Sequence, residues 1–554
     1  MITVDELAAL PLFANVPKDV LEQVANVAAD MRLGPGEYAC HEGDERALYV
    51  VMSGMIEVKK LFEGIPRKIG TRAPGQIFGE VPLIFGMAFQ GGFHASEPTR
   101  VMRLDARSFH LVTAAAPDVL VQVGTLARER LGGLQGFASQ PAKSRAIVVG
   151  HQWDPVCHEL RTFLARNQIT FEWLKPDTPE LKTKWSGEAL KADEYPAIRI
   201  EDGTTLIRPR TRDVAQRLGL RTGPAAAEYD AIVIGGGPGG LAAAVYGASE
   251  GLRTIVIERE APGGQAGTSS RIENYLGFPT GVSGDELAKR ALQQAGRLGA
   301  EIVVTRAVTG IDPVERRVLL DGGESLHART IVIATGVTWR RLAVDGFDRL
   351  LGKGVYYGAS RSEASATQGL DVHLIGAGNS AGQAAMHFAN YARTVTLVVR
   401  GDSLEKSMSY YLIEQLRGKS NIRVALQSEV KAVHGDEHLK AVDIVDRSSG
   451  KVQRHDCGGV FVFIGADAET EWLPEQILRD SRGYILTGDA VTKAGRWRED
   501  RDPYLLETSV PGIFACGDVR ASPVKRCAAA VGEGSMAIAF IHQYLAASSR
   551  SAAA

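Results

Sequence analysis

The alternation of apolar and polar positions divides the chain into three stretches. Up to about residue 130 a helix-like pattern gives way to short strands with glycines at the bends. From about Arg145 to Leu220, Ala146-Ile-Val-Val-Gly150 predicts a strand and Pro155 to Arg166 a helix with apolar spacing. Thr170 to Leu174 predicts a second strand, Tyr195–Ile200 with Thr205–Ile207 a hairpin, and about Thr211 to Leu218 a closing helix. From Tyr229 onward one unit occurs twice. Tyr229-Asp-Ala-Ile-Val-Ile234 predicts a buried strand, followed by a glycine-rich turn, a small-residue helix (Leu241 to Ser249) and a second strand, Thr254–Ile257. Val372–Ile375, a helix to about Tyr391 and Val395–Val399 repeat that order. Leu131 to Ser144 (LGGLQGFASQPAKS) and Arg221 to Glu228 (RTGPAAAE) carry no period and predict linkers.

Composition narrows the function classes. At 554 residues the chain is too long for one core. A net charge of −2 gives no electrostatic case for nucleic acid or an anionic membrane. No stretch approaches the roughly 20 apolar residues that span a bilayer. Met1 to Leu7 has no basic region of the signal-peptide kind, so a cytoplasmic location is expected. The five cysteines are Cys40, Cys157, Cys457, Cys516 and Cys527, and no two are separated by only two residues. That spacing excludes a disulfide scaffold and a CxxC redox or metal motif, and no metal site is expected.

The chemistry lies in the repeated unit. In Gly235-Gly-Gly237-Pro238-Gly-Gly240 the first glycine permits a tight turn, Gly237 lets the backbone approach a pyrophosphate, and Gly240 lets helix and strand pack closely. Glu258 ends the second strand, where a carboxylate takes the ribose hydroxyls of an adenosine. The second copy reads Gly376-Ala-Gly378-Asn379-Ser380-Ala381, and Arg400 rather than a carboxylate ends its second strand. Arginine clamps a 2′-phosphate, so NADPH is expected over NADH, with Asp402 nearby leaving NADH open.

Two such units about 140 residues apart resemble a two-domain flavoprotein, and the phrases around them resemble the thioredoxin reductase family over about residues 229 to 546. Pro262-Gly-Gly264-Gln265 and Arg271-Ile-Glu-Asn274-Tyr-Leu-Gly-Phe-Pro279 resemble its loops beside the isoalloxazine. Ile333-Ala-Thr335-Gly336 resembles its crossover between domains, and Phe461–Gly465 the return strand. Leu505 to Gly517-Asp518 resembles its second flavin signature, and Arg526-Cys527-Ala528 stands where the family has Arg-Gln-Ala. The resemblance implies FAD, with Asp518 on the ribityl chain and the helix from about Cys527 aimed at the pyrimidine ring. It also implies hydride transfer from nicotinamide to flavin, rotation of the nicotinamide domain, and a homodimer.

Two further resemblances lie upstream. Gly36-Glu37, Glu42-Gly43-Asp44, Leu48–Gly54 and Gln76-Ile-Phe-Gly79-Glu80 resemble the cyclic-nucleotide-binding domain, which implies a small jelly-roll barrel. Gln90 stands where that family places the phosphate-binding arginine, so the barrel is expected not to bind a cyclic nucleotide and to serve docking or dimerisation. No helix-turn-helix follows it. The order of residues 145–220 resembles a thioredoxin or glutaredoxin fold, with Pro196 at its cis-proline position and Trp153-Asp154-Pro155-Val156-Cys157 at its active site. Asp154 replaces the nucleophile and suits a helix N-cap, so an adaptor is expected, with Cys157 left as a lone thiol.

The expected architecture is therefore multidomain. Residues 1–140 form the barrel, 141–222 the thioredoxin-like domain, 223–342 and 471–554 the FAD-binding domain, and 343–470 the NAD(P)H-binding domain, the last two Rossmann-type and three-layered. One departure stands out. The family's Cys-Ala-Thr-Cys aligns with Gly358-Ala-Ser-Arg361. Three readings stay open. Electrons pass from FAD directly to a small-molecule, O2 or protein acceptor, with rotation of the nicotinamide domain opening a substrate pocket near Tyr356, Tyr357 and Arg361. Alternatively Cys527, its pKa lowered at a helix start, relays them, or Cys157 does so with an external thiol. In the third reading the chain is a sensor without turnover.

Overall fold

The computed structural model describes residues 2–553 apart from 63–64, 139–143, 270, 359–363, 365–366 and 522–523. Two compact units appear, Met1–Lys143 and Ser144–Ala554.

In the first unit, helices Val4–Ala8 and Lys18–Val27 precede eight short strands. The strands form two antiparallel four-stranded sheets. Their shared core is aromatic: Phe78 stacks on Tyr49 and on Phe93, each at 4.7 Å between ring centroids. A helix, Pro117–Ala138, closes the unit. It overruns the linker expected from Leu131, a correction with a clear cause. Each interior glycine costs a helix only about 1 kcal/mol. The preceding turns bury Val119, Val123 and Ala127, and Arg130 bonds the Ile77 carbonyl at 2.8 Å, so the helix is held past the first glycines.

In the second unit, residues 145–220 build a four-stranded sheet in the order Phe171–Leu174, Ala146–Val149, Ala197–Ile200, Thr205–Ile207. The first pair is parallel and the others antiparallel. The Tyr195–Pro196 peptide is cis. The Asp154 carboxylate accepts from the Val156 N–H at 3.1 Å and caps the helix Pro155–Arg166, with Pro155 in its first turn. The stretch Arg221–Glu228 does not hang free: the Arg221 carbonyl accepts from Val304 N–H, and Glu301 accepts from Ala225 N–H at 2.7 Å.

The remaining residues make two mainly parallel sheets, besides a three-stranded antiparallel sheet of Ser428–His434, Ala441–Asp446 and Val452–Asp456. One runs Glu301–Val303, Thr254–Ile257, Glu228–Ile234, Ser325–Ile333, with Ile513–Ala515 also paired to Ser325–Ile333 and an antiparallel extension, Arg317–Leu320 and Val308–Asp312. The other is parallel throughout: Val355–Tyr357, Gly459–Val462, Asp371–Ile375, Thr394–Val398, Ile422–Ala425. A two-stranded crossover joins them, Thr338–Trp339 antiparallel to Ala466–Asp467. Both glycine turns therefore leave the carboxyl ends of parallel strands, where doubly wound sheets hold their ligands.

Candidate functional site

The first turn is shaped by what cannot fit in it. Gly235 has φ +102°, and a Cβ there would meet the Ala334 carbonyl oxygen at 2.6 Å. A Cβ on Gly240 would fall 1.9 Å from the Gly235 oxygen, so strand and helix are packed as closely as backbone allows. A Cβ on Gly237 would meet only the Gly264 Cα, at 3.9 Å, and Pro238 starts the helix Pro238–Ser249. Glu258 is buried; its carboxylate accepts from Gly236 N–H at 2.7 Å and from Glu260 N–H at 2.9 Å. Burial pushes its pKa up, opposed by those two N–H bonds and by the Arg166 guanidinium.

Further polar groups converge on the same sheet edge. The Thr335 hydroxyl is buried without a partner, and Gly336 beside it is left-handed at φ +68°. Gln265 reaches the Val337 carbonyl at 3.4 Å. The Gly517 N–H donates to Glu533 at 2.7 Å, and Arg520 holds Glu533 at 2.6 Å, which fixes the turn presenting Asp518. Burial raises the Asp518 pKa, with Lys525 and Arg526 acting against it. Cys527 opens the helix Cys527–Ala553, flanked by exposed Arg526 and Ala528, and Tyr275 lies close enough to feel its charge. Asn274 is exposed on the same loop as Tyr275. An orphaned buried hydroxyl, an open glycine cradle and a buried ribose-type carboxylate fit a dinucleotide of the FAD kind.

The second turn is alike in outline. Gly376 is left-handed at φ +147°, and Gly378 faces open space. Asn379, expected as a cofactor ligand, is spent on scaffold: its amide donates to the Ser409 hydroxyl at 2.9 Å and its carbonyl accepts from Ser409 N–H at 2.7 Å. Ser380 and Arg400 are exposed, and Lys406 pairs with Asp402 at 2.7 Å. Arg447 donates to the Arg400 carbonyl at 3.3 Å, bringing a second guanidinium to that strand end. The donors fit a nicotinamide dinucleotide.

Comparison with known proteins agrees. A family profile described as pyridine nucleotide-disulphide oxidoreductase matches residues 229–534. The chain belongs to that family. Thioredoxin reductase of Bacillus subtilis (strain 168) is 32% identical over 321 residues, 57% of this chain and 95% of the relative. The 34.2 kDa protein in rubredoxin operon of Clostridium pasteurianum is 28% identical over 319 residues, 57% of this chain and 97% of that protein. The crystal structure of T. acidophilum thioredoxin reductase superposes with a TM-score of 0.51 at 28% identity, covering 57% of this chain and 99% of that one. Membership implies use of FAD and NAD(P)H. A cyclic nucleotide-binding domain profile matches residues 30–114. Among the described residues no helix is long and apolar enough to cross a membrane.

The resemblance sets the first cysteine of the family's dithiol against Gly358. That residue is buried with φ +80°, and a Cβ on it would lie 3.1 Å from the Trp339 indole nitrogen of the crossover. Arg361 lies outside the described residues. Tyr356 and Tyr357 do not line one surface, because strand alternation sends them to opposite faces. Tyr356 stacks on Phe461 (5.2 Å, 18°), whereas the Tyr357 hydroxyl accepts from Leu342 N–H at 2.9 Å and its ring lies under Arg341. Tyr357 is a bracing residue of the crossover.

None of the five cysteines is in a disulfide. Burial pushes Cys157 up to about 11 and Cys457 and Cys516 up to about 12, and it raises Cys40 as well. Cys527 is also raised, by burial and then by Asp518, so the lowering expected at a helix start is outweighed. Cys157 is fully buried against Gly150 and Pro196. In the first unit Glu80 is 3% exposed and pairs with Arg130 at 2.9 Å, while exposed Gln90 bonds the Ala88 carbonyl of its own loop at 3.2 Å. Sequence reading missed the Glu533–Arg520 clamp, the Trp339 contact and Arg166; each joins residues distant in the chain, and no local motif marks them.

Proposed function

We propose that the chain is a FAD-dependent NAD(P)H oxidoreductase, NADPH being preferred, whose electrons leave to an acceptor outside the chain: a small molecule, O2 or a redox protein. The observation that carries this is Gly358, a left-handed residue with Trp339 against it at the place of the family's first cysteine. The raised thiols of Cys157 and Cys527 add support, since the thiolate is the reactive form. Bound FAD would supply the two-electron chemistry between nicotinamide and acceptor. The chain's part is to hold and orient. The turn at Gly235–Gly240 would receive the pyrophosphate and Glu258 the adenosine ribose, while Asp518 and the first N–H groups of the helix from Cys527 would face the flavin end. Arg400, with Arg447 behind it, would meet a 2′-phosphate. Strand order supports a thioredoxin-like reading of residues 141–222, here as an adaptor.

The test is direct. Flavin absorbance near about 450 nm should bleach anaerobically on NADPH addition, after all accessible thiols have been alkylated, and return when an acceptor is supplied. Protein that stays colourless with FAD, or loses turnover on alkylation, ends the proposal.

A further inference from the structure

We propose that Arg166, from the helix of the second segment, is a positioning residue for FAD, so that residues 145–220 are a working part of the flavin site. The inference rests on the FAD reading above and goes beyond it, since no motif of the flavin unit includes this residue.

Three consecutive residues at the end of helix Pro155–Arg166 bond the loop that follows Glu258 or its neighbour. The Arg166 guanidinium pairs with Glu260 at 2.8 Å and donates to the Ala261 and Gly264 carbonyls at 3.2 and 3.4 Å. Asn167 donates to the Glu260 carbonyl at 3.4 Å, and Gln168, itself left-handed at φ +60°, donates to Asp285 at 2.5 Å. The clamped loop lies directly on the nucleotide turn. Gly263 N–H donates to the Gly236 carbonyl at 2.7 Å, and a Cβ on Gly264 would stand 3.0 Å from the Gly237 Cα. Fixing the Gly264 carbonyl therefore fixes one wall of the pyrophosphate cradle.

The second effect is on charge. A buried Glu258 can accept two ribose hydroxyls only as the carboxylate, and burial works against that form. Among the charged groups facing it, Arg166 favours ionisation and Glu260 opposes it, while Arg259 gains stability from the same carboxylate. Arg166 thus acts through the loop and through Glu258, not by touching the cofactor.

The test is FAD affinity of the full-length apoprotein, read by flavin fluorescence from pH 8 to pH 6. Arg166→Ala should weaken FAD binding about tenfold or more and make the loss larger towards low pH, because removing the guanidinium takes away a charge that favours the Glu258 carboxylate over its protonated form. Arg166→Lys should bring the pH profile back towards that of wild type but not the full affinity, since it keeps the charge and loses the fork. Arg166→Gln, which keeps a donor without the charge, should retain part of the affinity and show the pH dependence. If Arg166→Ala or Arg166→Gln, folded by gel filtration and melting, binds FAD as tightly as wild type at every pH, Arg166 merely glues two segments together and the inference fails. Wild-type protein that binds no FAD would instead sink the flavin reading itself.

Discussion

Buried ionisable side chains govern how this protein answers pH and substitution. His158 and His373 are both held near a pKa of about 4 by burial, against 6.5 in the open chain, so the folded state excludes their protons. With the folded value depressed, their contribution is complete above pH 6.5 and is lost as pH falls through 4. Thermal melts should therefore drop across that window, and His373→Gln should shrink the drop. Glu507 is fully buried and clamped by both arms of Arg501 at 2.7 Å. Arg501→Ala strands that carboxylate, and urea unfolding should show a loss of about 3–5 kcal/mol. At the nicotinamide turn, Arg400→Ala should raise the KM for NADPH about tenfold and leave NADH unchanged, because only the former carries the phosphate.

Among the elements, the helix Pro155–Arg166 is the one with two masters. Its 12 residues span about 18 Å. The far end holds the flavin loop; the near end meets the nicotinamide unit, where Pro155 packs on Gly352, His158 lies 5.2 Å from Tyr356, and Trp153 stacks on His438 at 5.6 Å and 13°. The polar end is directional and the aromatic end is not, so strain should part the aromatic end first. Trp153→Ala should broaden the distance between spin labels placed on the two dinucleotide units while leaving FAD content intact; an unchanged distribution would show that this contact restrains nothing. The strands and glycine turns were legible because their signals are local: Gly235–Gly240 and Glu258 sit within one strand–helix–strand unit. The opposed faces of Tyr356 and Tyr357 were also legible from the period of two, and were overlooked by reading position alone. The overrun of helix Pro117–Ala138 was not, since its cause is Arg130 reaching the Ile77 carbonyl at 2.8 Å, a partner 53 residues away.

At the scale of the molecule, the family's chemistry is carried by residues 229–534, and everything upstream must earn its place by contact or by ligand. The second segment does so within its own compact unit. The motif at Trp153–Cys157 stands where a thioredoxin-like domain would offer itself to a client, yet Trp153, Pro155 and His158 are already engaged by the same polypeptide. A foreign sulfur atom would find that doorway shut. What that end of the helix offers is anchorage to its own polypeptide, with Trp153 on His438, Pro155 on Gly352 and His158 beside Tyr356.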